Sequence, residues 1–330
     1  MAVLITGGAG YIGSHMVHAL LDRGEDVVVI DNLSTGVRGN IPADLAFIEA
    51  DIGDQRTVRA ALKAHKVDAI VHFAGSIVVP DSVADPLAYY HNNTVKSREL
   101  IAAAVAEGVA NFIFSSTAAV YGMPSENPVR ETSALMPISP YGASKLMTEM
   151  MLADSAKAYD LRYTALRYFN VAGADPKGRT GQSTPRATHL IKVACQAALG
   201  MRTGMEIFGT DFETPDGTGV RDYIHVSDLV GAHVKALDRL RGGASSLVAN
   251  CGYGRGFSVR EVVDTVKAVS GVDFRVSESA RRAGDPAALI AASDLARSEL
   301  GWVPELDDLE TIVRHAFTWE AKSTGLKSVA

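Results

Sequence analysis

A tyrosine and a lysine stand four residues apart in Tyr141-Gly142-Ala143-Ser144-Lys145, where apolar spacing predicts a helix over Tyr141–Tyr159. Residues at that spacing share a helix face. A free phenol has a pKa near ~10 and is no base at neutral pH. A nearby ammonium favours the phenolate and lowers that value. Such a tyrosine can take a proton from a hydroxyl, and later return it, while a hydride leaves or rejoins the same carbon. Ser115-Ser116-Thr117 follows a predicted strand. Thr117 is the candidate for the hydroxyl that orients the reacting oxygen, although Ser and Thr in such a place also cap turns and helices. Taken alone, the Tyr–Lys pair would equally suit an exposed amphipathic helix, so its surroundings decide.

A hydride needs a carrier, and the N-terminus offers a place for one. Gly7-Gly8-Ala9-Gly10-Tyr11-Ile12-Gly13 follows the apolar strand Val3-Leu4-Ile5 and precedes a helix predicted over Tyr11–Arg23. Gly7 permits a tight turn, Gly10 lets backbone approach a pyrophosphate, and Gly13 lets helix and strand pack closely. The helix N-terminus, at Tyr11 and Ile12, directs N–H groups and partial positive charge at phosphate. Asp31 ends the second strand, Val27–Ile30, 18 residues beyond Gly13. A carboxylate there accepts ribose hydroxyls and repels a 2′-phosphate, so NAD is expected rather than NADP. The positive nicotinamide ring would further favour a Tyr141 phenolate. Asp51 has two readings, an acceptor for the adenine amino group or a turn residue. Phe73-Ala74-Gly75 follows the fourth strand with small residues that leave room for a cofactor.

These segments imply a scaffold. Continuous apolar strands alternate with helices: strands at 46–48, 69–73, 111–114 and 163–166, helices at 56–64, 89–107 and 141–159. That rhythm predicts a doubly wound α/β domain with a parallel, Rossmann-type sheet. Beyond Asn170 it loosens. Loops are read at 173–185 and 208–220, helices at 188–199, 259–269 and 309–319. The expected organisation is a cofactor domain over 1–170 and a smaller mixed substrate domain over 171–330, some segments of which return to the sheet. The 330 residues are 47% hydrophobic and 21% charged, with net charge −6. The acidic balance argues against a nucleic-acid partner. Cys195 and Cys251 form no framework or metal-ligand pattern, so no metal is expected. No signal-peptide pattern or ~20-residue apolar span is read, which points to a cytoplasmic enzyme rather than a membrane protein.

Gly7 to Gly13, Asn93, Ser115 to Thr117, Tyr141-x-x-x-Lys145 and Arg167-Tyr168-Phe169-Asn170 resemble the extended short-chain dehydrogenase/reductase superfamily. Asp31-Asn32-Leu33-Ser34, His72-Phe73-Ala74-Gly75 and Gly217 to Val226 narrow the resemblance to the UDP-glucose 4-epimerase family. The similarity spans essentially the whole chain. It implies reversible epimerisation of UDP-glucose and UDP-galactose at sugar carbon 4: Tyr141 removes the hydroxyl proton, carbon 4 passes its hydride to a tightly held NAD, and the 4-ketose turns over before the hydride returns. The resemblance further implies cofactor contacts from Asn32, Ser34, Ile52, Asn93, Ser115, Lys145 and Tyr168. It implies substrate contacts from Asn170, His189, Arg221, Tyr223, Arg282 and Asp285. It also implies a homodimer through the segments 89–107 and 141–159; Met147, Met150 and Met151 suit either a partner or the core.

Three positions depart from the family pattern. Ile77 stands where some relatives carry a phosphate-binding lysine. Thr188-His189 replaces a pair of asparagines, and Leu289 replaces a tyrosine that limits room for an N-acetyl group, which keeps UDP-N-acetylhexosamines, pentoses and uronates in view. A dehydratase is disfavoured because Ala118-Ala119 follows Thr117 where an Asp-Glu pair would supply the elimination chemistry. A silent NAD-binding protein is disfavoured because both Tyr141 and Lys145 are present.

Overall fold

Period-two burial at the N-terminus explains how the chain builds outward from its first strand. Val3 and Ile5 of β1 (Ala2–Thr6) enter one apolar cluster, while Leu4 between them enters another on the opposite sheet face. A strand apolar on both faces belongs inside a sheet covered by helices on both sides. The computed structural model describes residues 1–184, 188–282 and 284–325. Pro185, the last residue of one expected loop, and Ala283, within the Arg281–Pro286 segment, lie outside them.

The strands β2 (Asp26–Asp31), β3 (Ala46–Glu49), β4 (Val67–His72), β5 (Asn111–Thr117) and β6 (Arg162–Tyr168) join β1. Four short strands follow: β7 (Asn170–Ala172), β8 (Met205–Phe208), β9 (Val220–Arg221) and β10 (Tyr223–His225). Then β11 (Leu247–Cys251) returns as an edge of the main sheet. The sheet has seven parallel strands in the order β11-β6-β5-β4-β1-β2-β3. The order reverses between β1 and β4, which opens a crevice at the strands' carboxyl ends. Three further strands, β12 (Phe257–Ser258), β13 (Val276–Ser279) and β14 (Ala288–Leu289), belong to small sheets: β12-β9-β14 and β13-β8.

The helices are α1 (Tyr11–Asp22), α2 (Gln55–Ala64), α3 (Val79–Ala84), α4 (Pro86–Tyr89), α5 (Lys96–Ala106), α6 (Pro140–Ala158), α7 (Leu190–Ala198), α8 (Val226–Arg241), α9 (Val259–Ser270), α10 (Asp294–Leu300) and α11 (Leu309–Ser323). Residues of α1 and α8 lie in one core cluster; α2, α5 and Leu152 of α6 contribute to the other. The single helix expected over 89–107 is broken: a π-turn over Tyr90–Val95 separates α4 from α5. The segment read as a loop over 208–220 begins at the last residue of β8 and ends at the first of β9. Both cysteines are buried free thiols. Met151 packs against the core, whereas Met147 and Met150 are exposed. Among the described residues no helix is long and apolar enough to cross a membrane.

Candidate active site

The glycine loop joins β1 to α1 at the carboxyl edge of the sheet. Gly7 has φ +68°, and a methyl group there would lie 2.7 Å from the Ala74 amide nitrogen. A methyl on Gly13 would lie 2.1 Å from the Gly7 carbonyl oxygen. Over Gly10 only that same oxygen, at 3.2 Å, comes within contact distance. Gly10 is the N-cap of α1, and no side chain caps the helix. An open cradle over uncapped N–H groups fits a pyrophosphate.

Asp31 is 7% exposed at the end of β2. Its Oδ2 accepts from the Ala9 N–H at 2.9 Å and its Oδ1 from the Leu33 N–H at 2.8 Å. Burial raises the carboxyl above its usual range, and those two donors pull it back. Each oxygen keeps a lone pair for a ribose hydroxyl. A methyl on Gly36 would stand 2.9 Å from both oxygens, so glycine keeps the approach clear. Asp51 accepts from Gly53 N–H at 2.8 Å, a turn contact, and from Asn32 Nδ2 at 3.3 Å. It also takes an ion pair from Lys96, which the sequence did not suggest. Asn32 accepts in turn from the Ser34 N–H, and Ile52 is buried next to Asp51.

At the other end of the crevice, Asn93 lies in the π-turn and is 3% exposed. It accepts from the Ser76 N–H at 2.8 Å, and donates to the Ser76 carbonyl at 2.9 Å and to Ser144 Oγ at 3.1 Å. This fastens the Phe73–Ser76 loop to α6. Ser139 caps α6 at Gly142 N–H, 3.2 Å, and Pro140 occupies its first turn. Lys145, 4% exposed, donates to the Ser115 carbonyl at 3.0 Å. Burial lowers its ammonium to about 8. Ser115 Oγ is hydrogen-bonded to the Tyr168 hydroxyl. Tyr141 and Thr117 are both buried.

The lowering expected of the Tyr141 phenol involves Lys145 together with the positive nicotinamide ring; the protein's own groups act on it in two directions. Burial raises the phenol above its usual value, and the Thr117 hydroxyl beside it pulls the other way. Spacing places a cation near a phenol, but desolvation acts on both groups and disfavours both charged forms. Thr117 also accepts from the Ala119 N–H at 3.2 Å, capping the 3-10 turn Ala118–Tyr121.

Asn170, Tyr223, His189 and Tyr11 line one cavity. Arg221 and Asp285 approach to 3.7 Å. Burial pulls the Arg221 guanidinium down, Asp285 and Tyr223 raise it, and Arg282 lowers it. Arg282 is exposed and sits 3.9 Å over the Phe208 ring. Leu289 pairs with Arg221 between β14 and β9 and packs on the Ala118–Tyr121 turn cluster. Ile77 is 45% exposed. The sequence reading passed over Phe208, Lys96 and Gln182, whose Nε2 lies 3.1 Å from His189 Nδ1. Phe208 stood at the edge of a presumed loop, and the other two contacts have no signature in spacing.

The model of the NAD dependent epimerase/dehydratase family matches residues 3–252. The chain belongs to this family. A UDP-glucose 4-epimerase of Azospirillum brasilense is 59% identical over 318 residues, 96% of this chain and 91% of that protein. The UDP-glucose 4-epimerase of Brucella ovis, solved in complex with NAD, superposes with a TM-score of 0.94 at 46% identity, over 99% of both chains. The UDP-Glc/GlcNAc 4-epimerase of Campylobacter jejuni is 49% identical with a TM-score of 0.85, over 97% of this chain and 99% of that one.

Proposed function

We propose that this chain interconverts UDP-galactose and UDP-glucose by inverting sugar carbon 4 through a transient 4-keto sugar. The observation that carries this reading is the convergence of Tyr141, Thr117 and Lys145, all buried, at the same sheet edge as the glycine loop and Asp31. Bound NAD supplies a hydride acceptor and donor at carbon 4. The chain's own residues do the rest. Gly7, Gly10 and Gly13, with Tyr11 and Ile12, seat the pyrophosphate. Asp31, Asn32 and Ser34 hold the adenosine ribose, and Asp51 and Ile52 border the adenine. Phe73, Ala74, Gly75, Asn93, Ser115 and Tyr168 border the nicotinamide end.

Tyr141 takes the proton from the 4-hydroxyl and returns it to the alkoxide of the opposite configuration. Thr117 orients that oxygen, and Lys145 holds the nicotinamide ribose. Arg221 and Arg282 pair with the diphosphate, for which the guanidinium fork is suited. Asn170 and His189 add polar contacts, Tyr223 lines the pocket, and Asp285 binds the uridine ribose. Anchoring at the diphosphate leaves the sugar free to present either face. Because the cofactor is restored each turnover, it stays bound.

Purified protein given UDP-galactose without added NAD should form UDP-glucose. No product, with NAD confirmed in the protein, would overturn this reading. A second substrate class, UDP-N-acetylhexosamines, is supported by Leu289 and by the activity named for the Campylobacter jejuni relative. On the same footing we propose residues 1–170 as mainly cofactor-binding and 171–330 as mainly substrate-binding, and a cytoplasmic setting suited to two free thiols. We also propose a homodimer, supported by the exposed Val83, Leu87, Val95, Met147 and Met150. Sedimentation showing a monomer at micromolar concentration would overturn it.

A further inference from the structure

A buried ion pair lies directly behind the Tyr–Lys pair, and none of the roles assigned above uses it. Arg167 and Glu149 are each about 5% exposed. Arg167 Nη2 donates to Glu149 Oε2 at 2.6 Å and Nε to Oε1 at 3.0 Å, a two-pronged contact. Ser116 Oγ donates to Glu149 Oε1. Arg167 Nη1 donates to the Tyr121 hydroxyl at 3.0 Å, and that hydroxyl donates to Asn250 Oδ1 at 2.6 Å. Asn250 Nδ2 then donates to the Val129 carbonyl at 2.9 Å.

Ser116, Glu149 and Arg167 each neighbour a site residue. Ser116 lies between Ser115, whose carbonyl holds Lys145, and Thr117, which flanks Tyr141. Glu149 is one helical turn beyond Lys145 on α6. Arg167 precedes Tyr168, the partner of Ser115. Ser116, Arg167 and Asn250 stand side by side across β5, β6 and β11. Val129 exchanges backbone hydrogen bonds with Ile290 and Ala292, next to Leu289. One network therefore joins β5, α6, β6, β11 and the segment beside the sugar pocket.

A buried ion pair is weak evidence for stability, because desolvation offsets its attraction and apolar residues of similar volume often replace it without loss. Its fork geometry does fix relative position. We infer that Glu149 and Arg167 are positioning residues that set α6 against β5, and thereby hold Tyr141 and Lys145 against Thr117 and Ser115. This rests on the Tyr141–Lys145 reading above.

The test uses the full-length protein with its NAD. The double variant Glu149→Leu/Arg167→Met keeps the volume apolar and leaves no unpaired charge. It should fold and retain NAD, yet lose about 10–100-fold in kcat with KM nearly unchanged, since small misplacements cost that much. The pH dependence of kcat should also shift, because the environment of the phenol changes. Ser116→Ala cuts only the link from β5 to Glu149 and should show a smaller loss in kcat of the same kind. Parental kcat and pH profile in a folded double variant would overturn the inference. If that variant does not fold, parental behaviour of Ser116→Ala would overturn it. Glu149→Asp/Arg167→Lys, which keeps charge but loses the two-pronged fit, should not restore kcat. Loss of activity in Tyr141→Phe alone bears on the function itself, so the two claims fail separately.

Discussion

The Lys145 ammonium donates to the Ser115 carbonyl at 3.0 Å from a position where it is 4% exposed. Burial brings its pKa from 10.5 to about 8. Below pH 8 the cation is present in both folded and unfolded chains, and the folded chain bears the full desolvation penalty. Between about 8 and 10.5 the unfolded chain binds more protons, so stability rises with pH across that window. For cofactor-stripped protein the gain is about 3 kcal/mol over the whole window. Lys145→Met should lack it. Denaturant midpoints at pH 7.5 and pH 10 would show this, and equal pH dependence in the two proteins would argue against the buried cation.

Thr117→Val should lower kcat by roughly 10-fold or more, as a hydrogen bond to a charged partner contributes about 1.5–3 kcal/mol. It should also lower the melting temperature slightly, because the cap on Ala119 N–H is lost. Thr117→Ser keeps both contacts and should retain most activity. A Val variant with unchanged kcat would remove Thr117 from the chemistry.

Arg221→Met should weaken binding of UDP by about 10–100-fold, by the same range for a charged hydrogen bond. Titration calorimetry would measure it. The fold should survive, since the variant replaces an ion whose partner Asp285 is partly exposed. Unchanged affinity would place the diphosphate elsewhere.

Leu289→Tyr introduces a ring beside Arg221 and the Ala118–Tyr121 turn. Turnover of UDP-N-acetylgalactosamine should fall relative to UDP-galactose by about 10-fold, a usual size for a steric change in a pocket. An unchanged ratio would mean that Leu289 does not border the N-acetyl group.

The parallel sheet was legible because β1, β2 and β4 are short continuous apolar runs separated by amphipathic helices. The glycine loop was legible because strand, glycines and helix arrive in order. The π-turn over Tyr90–Val95 was not, since one extra residue in a helical turn leaves the apolar spacing almost intact. The helix α8 was not read, since it begins at Val226, where the Gly217–Val226 motif ends. Part of that motif serves the fold: Asp222 accepts from the Tyr253, Gly254 and Ala291 N–H groups. The burial of the Tyr141 phenol was not legible, because helical spacing reports neighbours and not burial. The Arg167–Glu149 pair joins a strand and a helix, and only the folded sheet brings its β5 and β11 partners to it.

In the proposed cycle carbon 4 loses and regains its hydrogen as a hydride, with Tyr141 handling only the hydroxyl proton. UDP-galactose carrying deuterium at carbon 4, converted in ordinary water, tests it directly by NMR of the product. The product should be UDP-glucose with the deuterium still at carbon 4, formed more slowly than from the unlabelled sugar if hydride transfer limits turnover. Loss of the deuterium to solvent would show that the hydrogen leaves as a proton, and would contradict it.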